Sequence, residues 1–196
     1  MKTRLDELIP PGIETGIRKM LGEKRAAHCL RVAATAVEIA EKYGLNVKKA
    51  ALSGMLHDCA KGLSKKECAF YIKKYKITLD PVSKKIPALW HSFLGPYVAA
   101  EEFGIKDKVV LDAIKYHTAG NRRMGPLAKA VYVADYTEIH RKYHSSKKIR
   151  AKIKTNIPLD ELVRLVLKDK LSYLIEEGKL LHSESLEMWN KYNHKI

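Results

Sequence analysis

Six side chains able to carry acid–base or metal chemistry interrupt apolar stretches of this sequence. They are His28 in RAAHCLRVAA, His57 and Asp58 in ALSGMLHDCAKG, His91 in ALWHSFLG, His117 in VVLDAIKYHT and Asp135 in KAVYVADYTE. Taken singly, the histidines have ordinary explanations. A lone histidine among small apolar residues is commonly a hydrogen-bonded core residue, which would cover His28 and His91. His117 falls in a last helical turn, where the helix dipole favours a cation. The aspartates are harder to place, because an unpaired buried carboxylate costs several kcal/mol. Two of them in one interior repel unless positive charge lies between them. A divalent metal supplies that charge, imidazole and carboxylate are ligands such ions accept, and an ion with open positions polarises a phosphoryl group and acidifies a bound water. Four histidines and two aspartates together therefore point to a metal centre.

The adjacent His57-Asp58 pair is the most informative part. Neighbours on a helix diverge by about 100°, so both serve one centre only from the flank or end of a helix whose backbone comes close. Ser53 and Gly54, one turn earlier, are expected to leave room for that approach.

Helices must position these groups. Apolar residues recur at helical spacing, as in Leu30, Ala33, Ala34 and Val37 or Val163, Val166, Leu167, Leu171 and Leu174, and alternating strand patterns are scarce. Gly22, Gly44, Gly62, Asp80-Pro81, Gly104, Gly120 and Gly125-Pro126 punctuate the series. The pattern predicts an all-α chain of about eight or nine helices, over 14–21, 23–43, 46–61, 64–76, 88–103, 106–118, 126–143, 158–178 and 182–193. The run Arg141–Asn156, with seven Lys/Arg and no acid, reads as a solvated surface connection or an anion-facing loop. A single domain over 1–196 is expected, with a core of about 23–143 and C-terminal helices over 158–193.

Composition narrows the setting. A balance of 37 Lys+Arg against 22 Asp+Glu gives a net charge of +15, a field that draws nucleotides, polyphosphates, nucleic acid or acidic lipid. Cys29, Cys59 and Cys68 make neither an even disulfide set nor a C-x-x-C pair and read as small core residues in a reducing compartment. The opening MKTRLDELIPPGIE lacks the apolar centre of a signal peptide, and the uncharged run from Ile86 to Ala100 is short of the roughly 18 residues of a spanning helix. A cytoplasmic protein with no membrane association is expected.

The residues resemble the HD-domain phosphohydrolases, whose pattern is a histidine, a His-Asp pair and a distant aspartate, here His28, His57-Asp58 and Asp135. The surrounding text, LHDCAKG, LWHSFLGPYVAAEEFGI, AIKYHTAGNRRMGPLAKAVYVADYTEIHR and LIEEGKLLHSESLEMWN, is similar to the YqeK-type subfamily, the symmetrical dinucleoside tetraphosphatases, from about Arg25 to Asn190. The resemblance implies an HD-domain helical bundle. It also implies that His28, His57, Asp58 and Asp135 bind one metal, and that Asp58 bridges to a second held by His91 and His117. Iron is the metal it suggests, with manganese or another first-row ion as alternatives. The implied reaction is attack by a metal-activated water on diadenosine tetraphosphate, cutting the chain in the middle to give two ADP. Two positions depart from the family text: Ser92, where Gly commonly follows the histidine, and Ile139, where Pro often follows the AD..E stretch.

Cations near the proposed ligands are candidates for the phosphate chain. Arg31 lies one turn after His28 and Lys61 one turn after Asp58, and Asp58 with Lys61 forms the candidate catalytic pair. Arg122 and Arg123 follow His117 in a Gly-flanked loop suited to gripping a polyphosphate. Glu138 and Arg141, about one and two turns past Asp135, are placed to pair with each other or to orient ligands and substrate. The expected partner is a dinucleoside polyphosphate, with no stable nucleic-acid partner; nothing decides between a monomer and a homodimer. Competing readings are an HD hydrolase of a nucleoside monophosphate or guanosine alarmone, a basic nucleic-acid-binding protein, and a metal-stapled structural module. Aromatics at 8% and no nucleic-acid motif weigh against the second of these.

Overall fold

The structure, a computed structural model, describes residues 2–193. These residues form eleven α-helices and two 3-10 turns, and none of them lies in a strand, which is the all-α architecture the periodicity predicts. The helices are α1 Lys2–Leu8, α2 Ile13–Lys42, α3 Val47–Leu56, α4 Lys65–Lys74, α5 Pro81–Lys85, α6 Trp90–Phe103, α7 Lys108–Tyr116, α8 Pro126–Thr137, α9 His144–Ile153, α10 Leu159–Glu176 and α11 Ser183–Asn193. The count exceeds the eight or nine expected. The first two expected segments are one helix, α2, kinked at Gly22, whose φ of 74° and ψ of 166° suit a residue without a Cβ. Three further helices, α1, α5 and α9, were not expected from the sequence.

Two of the unexpected helices, α5 and α9, are tied to their neighbours. The five-residue α5 begins with Pro81 at its first turn, and Asp80 caps it by accepting from the Val82 and Ser83 N–H groups. Trp90 Nε1 donates to the Ser83 carbonyl at 2.8 Å and so ties α5 to the start of α6. The basic run expected as a surface connection contains α9, which buries Ser146, Ile149 and Ile153 and exposes its lysines. Arg150 is part of that anchorage, donating to the carbonyls of Thr137, Glu138 and Arg141 at the open end of α8.

The long α2 packs against α3 and α8, α7 against α3, α6 and α8, and α10 against α8, α9 and α11. One cluster of buried apolar side chains runs through this assembly from Leu5 to Met188. No helix of the described residues is long and apolar enough to cross a membrane.

The room left by Gly54 is used by helix packing, which corrects the expectation that it serves the His57-Asp58 site. A Cβ on Gly54 would stand 2.6 Å from Ala33 Cα and 2.8 Å from its backbone nitrogen, so α2 and α3 cross backbone to backbone there. Neither helix can yield by turning a side chain. Gly54→Ala should therefore lower stability by about 1–3 kcal/mol, read from the shift of a denaturant unfolding midpoint.

Candidate metal centre

Five of the six candidate ligands sit where a helix starts or ends, and each position follows from local structure. The helix expected over 46–61 stops at Leu56. His57 follows as its C-cap, still at helical φ −54° and ψ −34°, Asp58 has left the helix at φ −103° and ψ 10°, and the 3-10 turn Cys59–Gly62 comes next. This break lets adjacent residues face one centre. His91 lies at the start of α6, His117 just past α7 and Asp135 in the last turn of α8; His28 comes from the middle of α2. All six are at least largely screened from solvent: the Asp135 side chain is 16% exposed and His28, His57, Asp58, His91 and His117 are buried.

The hydrogen bonds settle which ring nitrogen faces inward. His57 Nδ1 donates to the Gly54 carbonyl, His91 Nδ1 to Ala88 and His117 Nδ1 to Ile114, each at 2.7 Å. A carbonyl only accepts, so in the neutral ring the Nε2 atoms carry lone pairs. Those lone pairs converge on a carboxylate that is itself an acceptor. Asp58 Oδ1 is 3.3 Å from His91 Nε2 and 3.5 Å from His117 Nε2, and Asp58 Oδ2 is 3.5 Å from His57 Nε2. His91 Nε2 and His117 Nε2 stand 3.1 Å apart, with the Thr118 hydroxyl beside both. On the other side, Asp135 Oδ1 is 3.2 Å from His28 Nε2 and 3.8 Å from His57 Nε2. The buried Nε2 atoms of His28 and His57 make no hydrogen bond.

Acceptors crowded against acceptors in a buried site call for a cation among them. The ligand atoms of His28, His57 and Asp58 lie within 4.8 Å of one another, as do those of Asp58, His91 and His117. The two groups share Asp58. Their nitrogen and oxygen donors fit a divalent metal site.

Protonation agrees with that use. Burial holds the His57 imidazole at about 4, and burial with His117 opposite holds His91 at about 3. Both rings are neutral near pH 7, the state that binds a metal. Burial opposes ionisation of Asp58, but His57, His117 and Lys61 keep its carboxyl well below the usual range. Asp135 is likewise held down against its burial by His28, His57 and Arg141.

A carboxylate behind His28 completes its setting. Glu138 Oε1 is 3.3 Å from His28 Nδ1, and Glu138 Oε2 accepts from Arg31 Nε at 2.8 Å and from the His140 N–H at 2.8 Å. Glu138 can do this because the chain leaves α8 there, at φ −55° and ψ 152°, instead of continuing to 143 as expected. A residue ahead of proline is pushed out of the helical region to extended ψ values like this one. Ile139 therefore follows the path that the family's proline would impose, and its own side chain is 66% exposed. At the other departure, the Ser92 hydroxyl donates to the Leu89 carbonyl at 2.8 Å. Arg141 and Glu138 do not pair through their side chains: Arg141 Nη2 donates to Asp135 Oδ1 at 2.6 Å and Nε to the Asp135 carbonyl at 2.9 Å.

The candidate phosphate ligands divide. Lys61 Nζ lies 3.3 Å from Asp58 Oδ1 and lines a cavity of about 670 Å³ together with His91, His117 and Asp135. Arg31 is beside the site but engaged with Glu138. Arg122 and Arg123 line a separate hollow with Glu187, Asn190 and Lys191, and Arg122 pairs with Glu187 at 3.6 Å. Sequence reasoning overlooked two cations. Arg25, one turn before His28, donates to Asp58 Oδ2 at 3.0 Å. Lys170 lines the cavity on the apolar stripe of α10, between Leu167 and Leu171, where a cation was as anomalous as Asp135. Burial pulls Lys170 down to about 8.

The HD domain model matches residues 25–139, which includes every candidate ligand. The chain belongs to the HD-domain family. A symmetrical bis(5'-nucleosyl)-tetraphosphatase of Bacillus subtilis is 32% identical over 174 residues, covering 89% of this chain and 92% of the relative. The protein of the same name from Staphylococcus aureus is 33% identical over 180 residues, covering 90% and 91%. Among solved structures, a Clostridium acetobutylicum protein described as a predicted HD superfamily hydrolase involved in NAD metabolism matches with a TM-score of 0.87 and 30% identity, over 94% of this chain and 96% of that one. The cluster of His28, His57, Asp58 and Asp135 thus stands within the HD-matched segment, with His91 and His117 beside it.

Proposed function

We propose that this HD-domain protein hydrolyses diadenosine tetraphosphate and related dinucleoside polyphosphates in the middle of the phosphate chain, releasing two ADP. One observation carries the reading: buried imidazole Nε2 atoms converge on the carboxylates of Asp58 and Asp135 beside a cation-lined cavity whose wall includes His91, His117 and Asp135. The two relatives named as symmetrical bis(5'-nucleosyl)-tetraphosphatases support the substrate.

In this reading His28, His57, Asp58 and Asp135 hold one metal, and Asp58, His91 and His117 hold a second. Bound divalent ions offset the charge of the phosphate chain and make water acidic enough to supply a nucleophile near neutral pH. The chain's own groups do the rest. Lys61, beside Asp58 and 38% exposed, reaches the cavity and binds phosphate oxygens. Arg25 neutralises Asp58 from the other side, and Arg141 fixes Asp135 by two donors, one to its carboxylate and one to its backbone carbonyl. The backbone carbonyls of Gly54, Ala88 and Ile114 lock the rings with Nε2 inward. Ile86, Leu89, Leu167 and Leu171 give the cavity a low-polarity wall that strengthens these charges.

Glu138 is a positioning residue in this scheme, since it holds the Nδ1 side of His28. Glu138→Gln should weaken metal affinity about 10–100-fold with little change in fold, as measured by competition with a metal chelator and by circular dichroism.

Iron is proposed as the resident ion and the cytoplasm as the location; the nitrogen and oxygen donor set suits first-row divalent ions. Elemental analysis of protein purified without added metal tests the first. A panel of diadenosine tetraphosphate, a nucleoside monophosphate and a guanosine alarmone tests the substrate: the first should be turned over with the highest kcat/KM. Preference for either other compound would move the chain to a different HD activity. RNA binding that falls steeply with salt and survives His57→Ala and Asp58→Ala, in a protein without hydrolase activity, would favour a nucleic-acid-binding role.

A further inference from the structure

The cavity above Asp58 is one of two that meet. A second, of about 610 Å³, is lined by Tyr136, Tyr143, His144, Ser172 and Glu176, and the two share Asp135, Lys170 and Tyr173. Each falls within the roughly 300–1,000 Å³ usual for a small-molecule site. Their walls differ. The first adds Ile86, Leu89, Leu171, Leu174 and Leu180 to the rings of Tyr132 and Tyr173, whereas the second has no aliphatic lining among the described residues and adds Tyr136 and Tyr143, the latter 66% exposed.

The junction carries a cation with donors to spare. Lys170 Nζ donates to the Thr118 carbonyl at 3.1 Å and sits 4.0 Å above the Tyr132 ring, and no carboxylate among the described residues pairs with it. An ammonium has three hydrogens to donate, so Lys170 keeps donors for a ligand. Thr118, whose carbonyl it holds, also places its hydroxyl against His91 and His117. Asp135, common to both cavities, belongs to the candidate metal cluster. Asp135 therefore brings one edge of the cluster to the place where the two cavities meet, with His91 and His117 on the side of the first.

We propose that the two cavities seat the two nucleoside halves of one symmetrical dinucleotide, with Lys170 holding the phosphate bridge between them. The assignment rests on the substrate proposed above. A molecule cut in its middle must place that middle at the metal cluster and send its two ends to opposite sides. The apolar cavity takes one base between aliphatic side chains, and the other base stacks on Tyr143 or Tyr173 at the second.

The test is a calorimetric titration of the metal-loaded protein. ADP should bind with two molecules per chain, and a diadenosine tetraphosphate analogue with a methylene group at the central bridge should bind with one. Ser172→Trp, an exposed helix position at the second cavity, should cut ADP to one per chain and weaken the analogue at least 10-fold. Tyr143→Ala, which introduces no bulk, should weaken the second ADP without affecting the first. Lys170→Met should weaken the analogue about 10-fold and leave adenosine binding unchanged. One ADP per chain in the unaltered protein, or full analogue affinity in Ser172→Trp, would overturn the two-seat arrangement. If both ligands bind as stated and the dinucleotide is not hydrolysed, the arrangement stands and the proposed reaction fails.

Discussion

Asp58→Ala is expected to remove both metals together and to lower kcat by on the order of 10³-fold or more. Asp58 is the group common to both ligand clusters: Oδ1 faces His91 and His117 while Oδ2 faces His57. Losing it takes one ligand from each cluster and the negative charge between them. Metal ions contribute several kcal/mol of transition-state stabilisation, and each 1.4 kcal/mol is worth about tenfold in rate. The fold should survive, because the cations released by the substitution, Arg25 and Lys61, are 40% and 38% exposed and can turn to water. Metal per chain near zero with an unfolding midpoint close to that of the unaltered protein is the predicted result. Two ions retained per chain would remove Asp58 from the bridging position.

His91→Ala should behave differently, halving the metal content instead of abolishing it. His91 belongs only to the cluster with Asp58 and His117, whereas His28, His57 and Asp135 are untouched by the change. The substitution also ends the 3.1 Å approach of His91 Nε2 to His117 Nε2. Without a metal, that relieves a repulsion between lone pairs; with a metal, it costs a ligand. The variant should hold about one ion per chain and lose roughly 10²–10³-fold in kcat. Loss of both ions would mean that the two clusters bind as one unit, and loss of neither that His91 is a core histidine.

Much of the site was legible because chemistry broke a pattern. Asp135 among Val131, Val133 and Ala134, and His57-Asp58 after Met55 and Leu56, are polar groups where helical periodicity demands apolar ones, and all four candidate histidines could be found the same way. The structure brings these six residues together. Lys170 breaks the apolar stripe of α10 by the same rule, but long cationic side chains commonly reach solvent from such positions, so the break alone does not mark it. Arg25 was readable by its one-turn spacing to His28 but carries the look of a surface residue at the head of RAAHCLR. Arg122 and Arg123 show the converse: closeness in sequence to His117 did not place them in its cavity, because the chain turns at Gly120 and carries them beside α11.

The fold was legible as helices and less so as their ends. The helix break at Glu138 has no glycine or proline to announce it and is held by Arg150, which reaches back from α9, a long-range contact that local pattern does not encode. The same holds for α9, whose seven neighbouring cations hide an apolar edge of Ile149 and Ile153. Gly54 carried a signal of close approach that the sequence could not direct, and its partner proved to be the α2 backbone.

The central claim is metal-dependent cleavage at the middle of a symmetrical dinucleotide, and the most direct measurement is chromatography of the products formed from diadenosine tetraphosphate by metal-replete protein. ADP as the sole nucleotide product, abolished by a chelator and restored by added metal, is the result expected. Equal amounts of AMP and ATP, or turnover unaffected by chelation, would contradict it.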